Sequence, residues 1–259
     1  MREINQKRLK YFREVLVSGS IRGAADALNT APSVITRQVA LLGEEQLVHA
    51  LPMLTSSRTP YVVMWAPPDI DENAIGFDEH TAAGLLVDHL AGLGHRRIGF
   101  IGGSTVGNQR AQRRVSGVAM ATARNGMTLC KEAMIETEYG FEFGALAMTR
   151  IISTLKGRQA VSAVVCGNDY LAAGALSALD HAGISVPGSL SVASFNDNDF
   201  SPYLHPPLTT VRLRIREIGE QAGENLIARL RGEPSVPGRH LDVSLVVRKS
   251  TGRRATNLA

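Results

Sequence analysis

Between Lys7 and Leu47 the hydrophobic residues recur at intervals of three and four, the spacing of one face of an α-helix. Turn residues at 18–20 and 29–32 separate three apolar stripes, and Pro32 suits the first position of the third helix. The stripes are Leu9, Phe12, Val15 and Leu16; Ala24, Ala25 and Leu28; and Val34, Ile35, Val39, Leu41 and Leu42. The pattern therefore predicts three short helices and no strand in this stretch.

Beyond Leu47 the pattern changes to strands that alternate with helices. Residues 51–60 are irregular and carry Ser, Thr and Pro, so we expect a linker over 49–60 between a helical domain, 1–48, and a second domain, 61–259. Strands are predicted at 61–65, 97–101, 127–133, 162–166, 190–195, 209–211 and 243–247, and helices at 79–93, 109–125, 142–155, 169–182 and 215–231. This alternation predicts an α/β fold with a parallel, doubly wound sheet covered by helices on both faces.

Charge and composition narrow the possible classes of protein. The net charge is +4, and residues 1–48 hold seven Lys and Arg against five Asp and Glu, which permits a nucleic-acid partner. Cys130 and Cys166 lack the spacing of a metal site or a disulfide scaffold. No apolar run approaches the ~18 residues of a membrane span, and no apolar stretch follows the charged N-terminus. We therefore expect a cytoplasmic protein with no membrane partner.

The helical domain carries residue types suited to reading DNA. A tri-helical unit whose third helix follows a tight turn can lay that helix in the major groove. Short hydroxyls reach phosphates or base edges, Arg and Gln reach further, and the helix N-terminus attracts phosphate. The candidate DNA contacts at the start of this helix are Ser33, Val34, Thr36, Arg37 and Gln38.

The stretch from Leu9 to Leu47 resembles the N-terminal helix-turn-helix of LysR-type transcriptional regulators. The resemblance lies in Phe12 after Leu9, the Gly19-Ser20-Ile21 turn, Ala24-Ala25 with Leu28, and Ala31-Pro32-Ser33-Val34-Ile35-Thr36-Arg37-Gln38-Val39. It implies that double-stranded DNA is a partner. The β-wing and long pairing helix of that family are absent, since residues 43–47 run straight into the linker. A single reading head makes few phosphate contacts, so we expect a homodimer formed through the second domain.

In the second domain, polar side chains follow several predicted strands. Asp78 follows the strand-like stretch 74–77, Arg114 opens a helix after 97–101, and Asn168 and Asn196 follow the next two strands. Such loops gather at the carboxyl edge of a doubly wound sheet, where small molecules bind. Carboxylates, amides and one Arg suit a polyhydroxylated ligand. Asn168 also fits a helix N-cap, and Asn196 also fits an Asx-rich turn.

The region from Asp78 to Thr251 resembles the effector-binding region of LacI-type regulators, built on the type I periplasmic-binding-protein fold. The matching stretches are 75–78, 89–103, 114–117, 166–169, 187–195, 206–211 and 246–251. The resemblance implies that Asp78, Arg114 and Asn168 face an interlobe cleft, with Arg114 gripping ligand oxygens and Asn168 bonding a hydroxyl. The family has Asp where Asn196 stands and an aromatic residue where Val118 stands, so this chain departs from the family at those two ligand contacts.

Most of the first lobe of that family is missing, because the helix-turn-helix ends only a short linker before Tyr61. What we expect to remain of that lobe is the strand 61–65, together with the short strand 209–211 and the helix 215–231. We expect Tyr61, Val63 and Trp65 to present an apolar surface and an unpaired strand edge, through which two chains associate.

Three other functions stay open. An enzyme on this fold is the first, but the loop GGSTVG at 102–107 fits neither GxGxxG nor GxxxxGK[ST], and no catalytic or metal-binding spacing occurs. The second is a sugar-binding protein, which would carry an export signal and would lack a DNA-binding domain. The third is a non-functional fusion remnant. The interpretation that accounts for both domains is a transcriptional regulator that senses a sugar or a related metabolite. We expect it to have no cofactor, no metal ion and no catalytic residue.

Overall fold

The computed structural model describes residues 21–31, 60–66, 71–153, 160–234 and 238–254, together with Lys10, Glu14, Ser18 and Val34. The chain forms two compact units, Met1–Pro60 and Tyr61–Ala259. The first unit contains helix α1, Ile21–Ala27, whose Ala24 and Ala25 are buried. Asn29 ends this helix in the left-handed region (φ 48°), and the N–H of Thr30 donates to the carbonyl of Ala25 at 2.9 Å. The predicted break after the second apolar stripe is therefore present.

The second unit is built on a six-stranded sheet in the order β4-β3-β5-β6-β7-β9. Its strands are β3 (Arg97–Gly103), β4 (Thr128–Thr137), β5 (Ala163–Cys166), β6 (Ser191–Asn196), β7 (Thr209–Arg212) and β9 (Ser244–Val246). Neighbours from β4 to β7 pair in parallel, as predicted. Strand β9 instead pairs antiparallel with β7, so the expectation of a wholly parallel sheet is wrong at this edge. Between β7 and β9 the chain passes through a helix, Ile215–Leu230, and a two-residue strand that belongs to a second sheet.

Helices cover both faces of this sheet, which explains why its central strands are apolar throughout. Helices α2 (Glu79–Gly92) and α3 (Gln109–Arg124) pack together, as do α4 (Phe141–Ile152) and α5 (Asp169–His181). The first pair shares one buried cluster with Phe100, and the second pair shares another with Ile101. Adjacent residues of β3 thus point into opposite cores, as period-two alternation requires. All four residues of β5 are buried. The predicted α/β, doubly wound architecture is confirmed.

A second, smaller sheet contains β1 (Val63–Met64), β2 (Ala74–Gly76) and β8 (Arg239–His240), paired in parallel in the order β1-β2-β8. Helix α6, Ile215–Leu230, packs on β1 and β2. This packing agrees with the expected place of the helix 215–231 beside the strand 61–65, whereas β8 was not predicted. The stretch 209–211 lies in the large sheet, so its assignment to the remnant lobe is wrong.

The apolar surface expected at Tyr61, Val63 and Trp65 is not present as predicted. Val63 is only 3% exposed, and its neighbour in β2 is Ala74. The ring of Trp65 meets Phe77 edge to face at 6.4 Å, and the Arg110 guanidinium lies 5.2 Å from its centroid. The side chains of Val63 and Trp65, which the hydrophobic pattern predicted to be exposed, are therefore largely covered by pairing with β2 and by a cation–π contact.

Two other compositional expectations bear on the described part of the chain. Cys130 and Cys166 are both buried free thiols, and burial raises the pKa of each. Among the described residues, none of the helices combines the length and the apolar character needed to cross a bilayer.

Candidate functional site

A cavity of about 690 Å³ lies where the small sheet meets the first turn of α2. Asp78, two residues beyond the carboxyl end of β2, is one of its walls. The other lining residues come from α2, from α3 and from the segment that begins in β8: His80, Thr81, Arg113, His240, Leu241, Asp242 and Val243. Two carboxylates, two imidazoles, a hydroxyl and a guanidinium thus surround one space, a set that can bond several hydroxyl groups of a small molecule.

Asp78 is both part of the cavity and the N-cap of α2. Its carboxylate accepts hydrogen bonds from the backbone N–H of His80 at 3.0 Å and of Thr81 at 2.9 Å, and from the Thr81 hydroxyl at 2.6 Å. Partial burial raises the pKa of Asp78, but these hydrogen bonds together lower it below its ordinary value. The carboxylate therefore stays ionised and points a fixed negative charge at the cavity.

Arg114 is buried beneath the carboxyl edge of the sheet and does not line the cavity. Its guanidinium donates to both carboxylate oxygens of Glu79, at 2.8 and 2.7 Å, and to the carbonyl of Gly167 at 2.5 Å. Its central carbon lies 4.8 Å from the ring centroid of Phe195. Burial lowers the pKa of Arg114, but the Glu79 carboxylate raises it by more. The predicted grip on ligand oxygens stays a prediction, since three of the five N–H donors are engaged within the protein.

Asn168 and Asn196 stand at the ends of adjacent strands but outside the lining of the cavity. The side-chain oxygen of Asn168 accepts from the backbone N–H of Leu171 at 2.9 Å, so Asn168 is the N-cap of α5. Asn196 has φ 116° and is followed by Asp197 at φ 58°, an uncommon backbone conformation for residues other than Gly. The alternative given for Asn168, a helix cap, is therefore realised, and the ligand contacts of both asparagines stay predictions.

Asp169 anchors a polar network beneath these loops. Its side chain is fully buried and accepts from the hydroxyls of Ser194, of Ser201 at 2.7 Å and of Thr210 at 2.8 Å, and from the backbone N–H of Asn198 at 2.6 Å. Burial raises the pKa of Asp169, although the four donors oppose that rise. One carboxylate thus ties α5 to β6, to β7 and to the loop between those strands.

Sequence reasoning missed four of the charged or polar residues that shape this region. Glu79 follows Asp78 directly and could have been noticed as an acidic residue in the first turn of a helix. Arg113 adjoins Arg114 on the same predicted helix. His240 and Asp242 follow no predicted strand, because β8 is only two residues long, and no local signal marks them.

Of the candidate DNA contacts, the structure describes Val34 alone, and Ser33, Thr36, Arg37 and Gln38 lie outside the described residues. Val34 is 38% exposed, and its N–H donates to the carbonyl of Ala31 at 3.0 Å, which closes one turn after α1. Within the described ranges, no group of three or more His, Cys, Asp or Glu side chains is arranged to hold a metal ion.

Two family models match different parts of the chain. Residues 6–51 match the bacterial regulatory helix-turn-helix protein model of the lysR family. Residues 87–251 match the periplasmic binding protein-like domain. The chain therefore contains a region that matches a LysR-type helix-turn-helix and a periplasmic-binding-protein-like domain.

Curated relatives of the chain are transcriptional regulators. The repressor CytR of Escherichia coli K12 is 32% identical over 185 residues, which cover 71% of this chain and 53% of that protein. The regulator GalR of the same organism is 35% identical over 161 residues, covering 62% and 46%. The chain thus spans about half the length of the curated relatives it matches.

Solved structures confirm the fold. A sugar-binding LacI-family regulator from E. coli, complexed with phosphate, has a TM-score of 0.70 at 25% identity and covers 78% of this chain and 72% of its own. The transcription regulator GntR from Chromobacterium violaceum has a TM-score of 0.71 at 27% identity, covering 93% and 94%. With a family model matched over more than half of its residues, the chain belongs to the periplasmic-binding-protein-like family.

Proposed function

We propose that this protein is a DNA-binding transcriptional regulator in which a LysR-like reading head is joined to a shortened LacI-like sensor of a small polar effector. The observation that carries the proposal is the occurrence, in one chain, of a helix-turn-helix match at 6–51 and a periplasmic-binding-protein-like domain at 87–251. The curated relatives CytR and GalR are transcriptional regulators. The proposed protein acts in the cytoplasm as a homodimer, because two heads double the phosphate contacts.

The reading head acts through the start of its third predicted helix. In the proposal, Arg37 and Gln38 bond base edges while Ser33 and Thr36 fix the helix on the phosphates. Val34, exposed just after the turn, adds apolar contact in the groove. Arg22, exposed on α1, reaches the backbone of the duplex.

Replacing Arg37 by Ala is expected to weaken binding to a selected duplex by about tenfold or more, because a bidentate contact with a base is lost. The duplex is first selected from a random-sequence pool with the full chain, and affinities are measured by fluorescence anisotropy. The matched control is Arg22→Ala, which should weaken selected and unselected duplexes equally and reduce the salt dependence of binding. Two results would contradict the proposed role of Arg37 in recognising bases. One is that the full chain enriches no sequence from the pool, and the other is that both variants lose the same affinity for the selected duplex.

The effector in this proposal is a sugar or a related polar metabolite held at the carboxyl edge of the sheets. The cavity beside Asp78 supplies its first contacts. Arg114 and Asn168 belong to the proposed site as the family resemblance implies, and Asn196 belongs to it as a polar residue at the end of the adjacent strand β6. The fixed carboxylate of Asp78 and the guanidinium of Arg113 can each bond adjacent hydroxyls. Binding changes the affinity for DNA only to the extent that the effector prefers one conformation of the dimer.

Replacing Arg113 by Ala is expected to raise the dissociation constant of a sugar that binds the wild-type chain by about tenfold. The reason is that the free energy of one hydrogen bond from a charged group corresponds to about that factor. Calorimetric titration of the full chain with a panel of monosaccharides and nucleosides measures the effect. Arg124→Ala is the matched control on the same helix, since Arg124 is 63% exposed and pairs with Asp88 away from the cavity. An unchanged affinity in the Arg113 variant would place the effector elsewhere.

A further inference from the structure

A buried ion pair joins helices α2 and α3 near their starts. It consists of Glu79 and Arg114, whose side chains are only 2% and 10% exposed. The guanidinium of Arg114 donates from Nε and from Nη2 to the two carboxylate oxygens of Glu79, so the contact is bidentate. Because little of either side chain reaches solvent, water screens the two charges weakly, and a ligand bound beside them experiences both.

The ion pair leaves part of Arg114 able to bond a ligand. A guanidinium has five N–H groups, and Glu79 and the carbonyl of Gly167 engage three of them. Among the bonds that the described residues form, one N–H on each terminal nitrogen of Arg114 is left without an acceptor. These two groups are the donors that the proposed function offers to ligand oxygens.

The surroundings of Arg114 are acidic. Burial lowers the pKa of Arg114, whereas Glu79 raises it, and Tyr139 and Asp169 raise it more weakly. Within the described part of the chain, none of the groups that shift this pKa is a cation. An anion placed on the two remaining N–H groups would therefore meet a positive charge that Glu79 already neutralises, with the buried carboxylate of Asp169 as a second source of repulsion.

The cavity beside Asp78 has a similar balance of charge. Its lining holds the carboxylates of Asp78 and Asp242 and the guanidinium of Arg113. Burial raises the pKa of Asp78, but hydrogen bonds outweigh that effect and keep this carboxylate ionised. With neutral imidazoles the lining carries two negative charges and one positive charge, so it does not provide the positive potential that draws an anion into a site.

We infer that Glu79 is a specificity-determining residue, through which the proposed effector site accepts uncharged polyols and rejects their anionic counterparts, such as uronic acids and sugar phosphates. The inference rests on the proposed function, in which Arg114 bonds ligand oxygens. Glu79 fixes the guanidinium and cancels its charge, so the remaining N–H groups can bond a hydroxyl but gain little from an anion. An anion bound beside the Glu79 carboxylate is disfavoured, because like charges repel strongly where solvent is excluded. A hydroxyl group experiences no such repulsion.

Calorimetric titration of the full chain with matched probes tests the inference. Each neutral probe is paired with an anion of the same skeleton: glucose with glucuronate, galactose with galacturonate, ribose with its phosphate ester, and adenosine with its monophosphate. A uronate differs from its hexose only in having a carboxylate in place of a hydroxymethyl group, so the size of the ligand changes little. At least one neutral probe is expected to bind the wild-type chain, and its anionic counterpart is expected to bind about tenfold more weakly or worse.

The substitution Glu79→Gln tests whether the selection depends on Glu79. Gln has the same shape but no charge, so the charge of Arg114 is no longer neutralised. The dissociation constant of the anionic probe, divided by that of the neutral probe, is expected to fall about tenfold or more. A merely structural ion pair would weaken both probes alike and leave this ratio unchanged. Glu79→Asp, which keeps the charge, should retain the wild-type ratio, and circular dichroism verifies that each variant is folded.

The control is Asp88→Asn. Asp88 forms an exposed ion pair with Arg124 between the same two helices, α2 and α3. This substitution removes a carboxylate from that pair without changing the charge beside Arg114, so it should leave the ratio of the two dissociation constants unchanged.

Two results would overturn the inference and leave the proposed function standing, since that function requires only a polar effector. The first, which needs no variant, is an anionic probe that binds the wild-type chain as tightly as its neutral counterpart. It would place the anion beside Arg212 and Arg248, two cations that share the carboxylate of Asp197. The second is a ratio that Glu79→Gln leaves unchanged. A chain that binds no probe of either class refutes effector sensing itself, and the inference with it, whereas DNA reading is judged by the selection of a duplex.

Discussion

Replacing Asp169 by Ala is expected to lower the free energy of unfolding by about 3–4 kcal/mol, the range of severely destabilising single substitutions. The carboxylate accepts four hydrogen bonds, and the change leaves those donors without an acceptor in a region closed to solvent. Each buried unsatisfied donor costs about 1–3 kcal/mol, although hydroxyl groups recover part of that cost by turning toward other acceptors. Urea unfolding followed by circular dichroism measures the loss.

Asp180→Ala is the matched control for this substitution. Asp180 lies on the same helix, α5, but is exposed, so its replacement should change the free energy of unfolding by less than about 0.5 kcal/mol. A loss of comparable size in both variants would show that the helix, rather than the buried network, responds to the change. A small loss in Asp169→Ala alone would mean that the hydroxyl groups rearrange around the missing acceptor.

Asp169 also shows how far the sequence could lead. Its position after a buried strand predicted an edge loop, and a helix beginning there, both of which the structure contains. The donors that surround it come from residues 25 to 41 positions further along the chain. Local patterns carry no information about such distant partners, so the same residue type in the same loop fits a ligand contact, a cap or a structural anchor.

Arg114 illustrates the same limit for the candidate site. The family resemblance implies a ligand contact, and the structure adds a bidentate ion pair with Glu79, 35 residues earlier. The strand that the sequence pattern did not predict, β8, also depends on pairing with residues far away in the chain. The two-residue strand β8 exists because Arg239 and His240 lie beside Ile75 and Gly76, and no hydrophobic alternation can be seen over two residues. The central strands β3, β5 and β6 were predictable because burial on both faces favours short apolar runs.

Replacing Gly174 by Ala is expected to destabilise the protein by about 3 kcal/mol, because the new methyl group would overlap the carbonyl oxygen of Phe141 on the neighbouring helix. It would also lie 2.8 Å from the amide nitrogen of Ala145. These are backbone atoms, so α4 and α5 must move apart and lose contacts. The control is Gly219→Ala, an exposed site on α6 with no atom within 4 Å, where better helix propensity should stabilise by about 0.5–1 kcal/mol. Opposite signs in thermal unfolding would attribute the loss to helix packing, whereas a gain in both variants would show that the two helices tolerate separation.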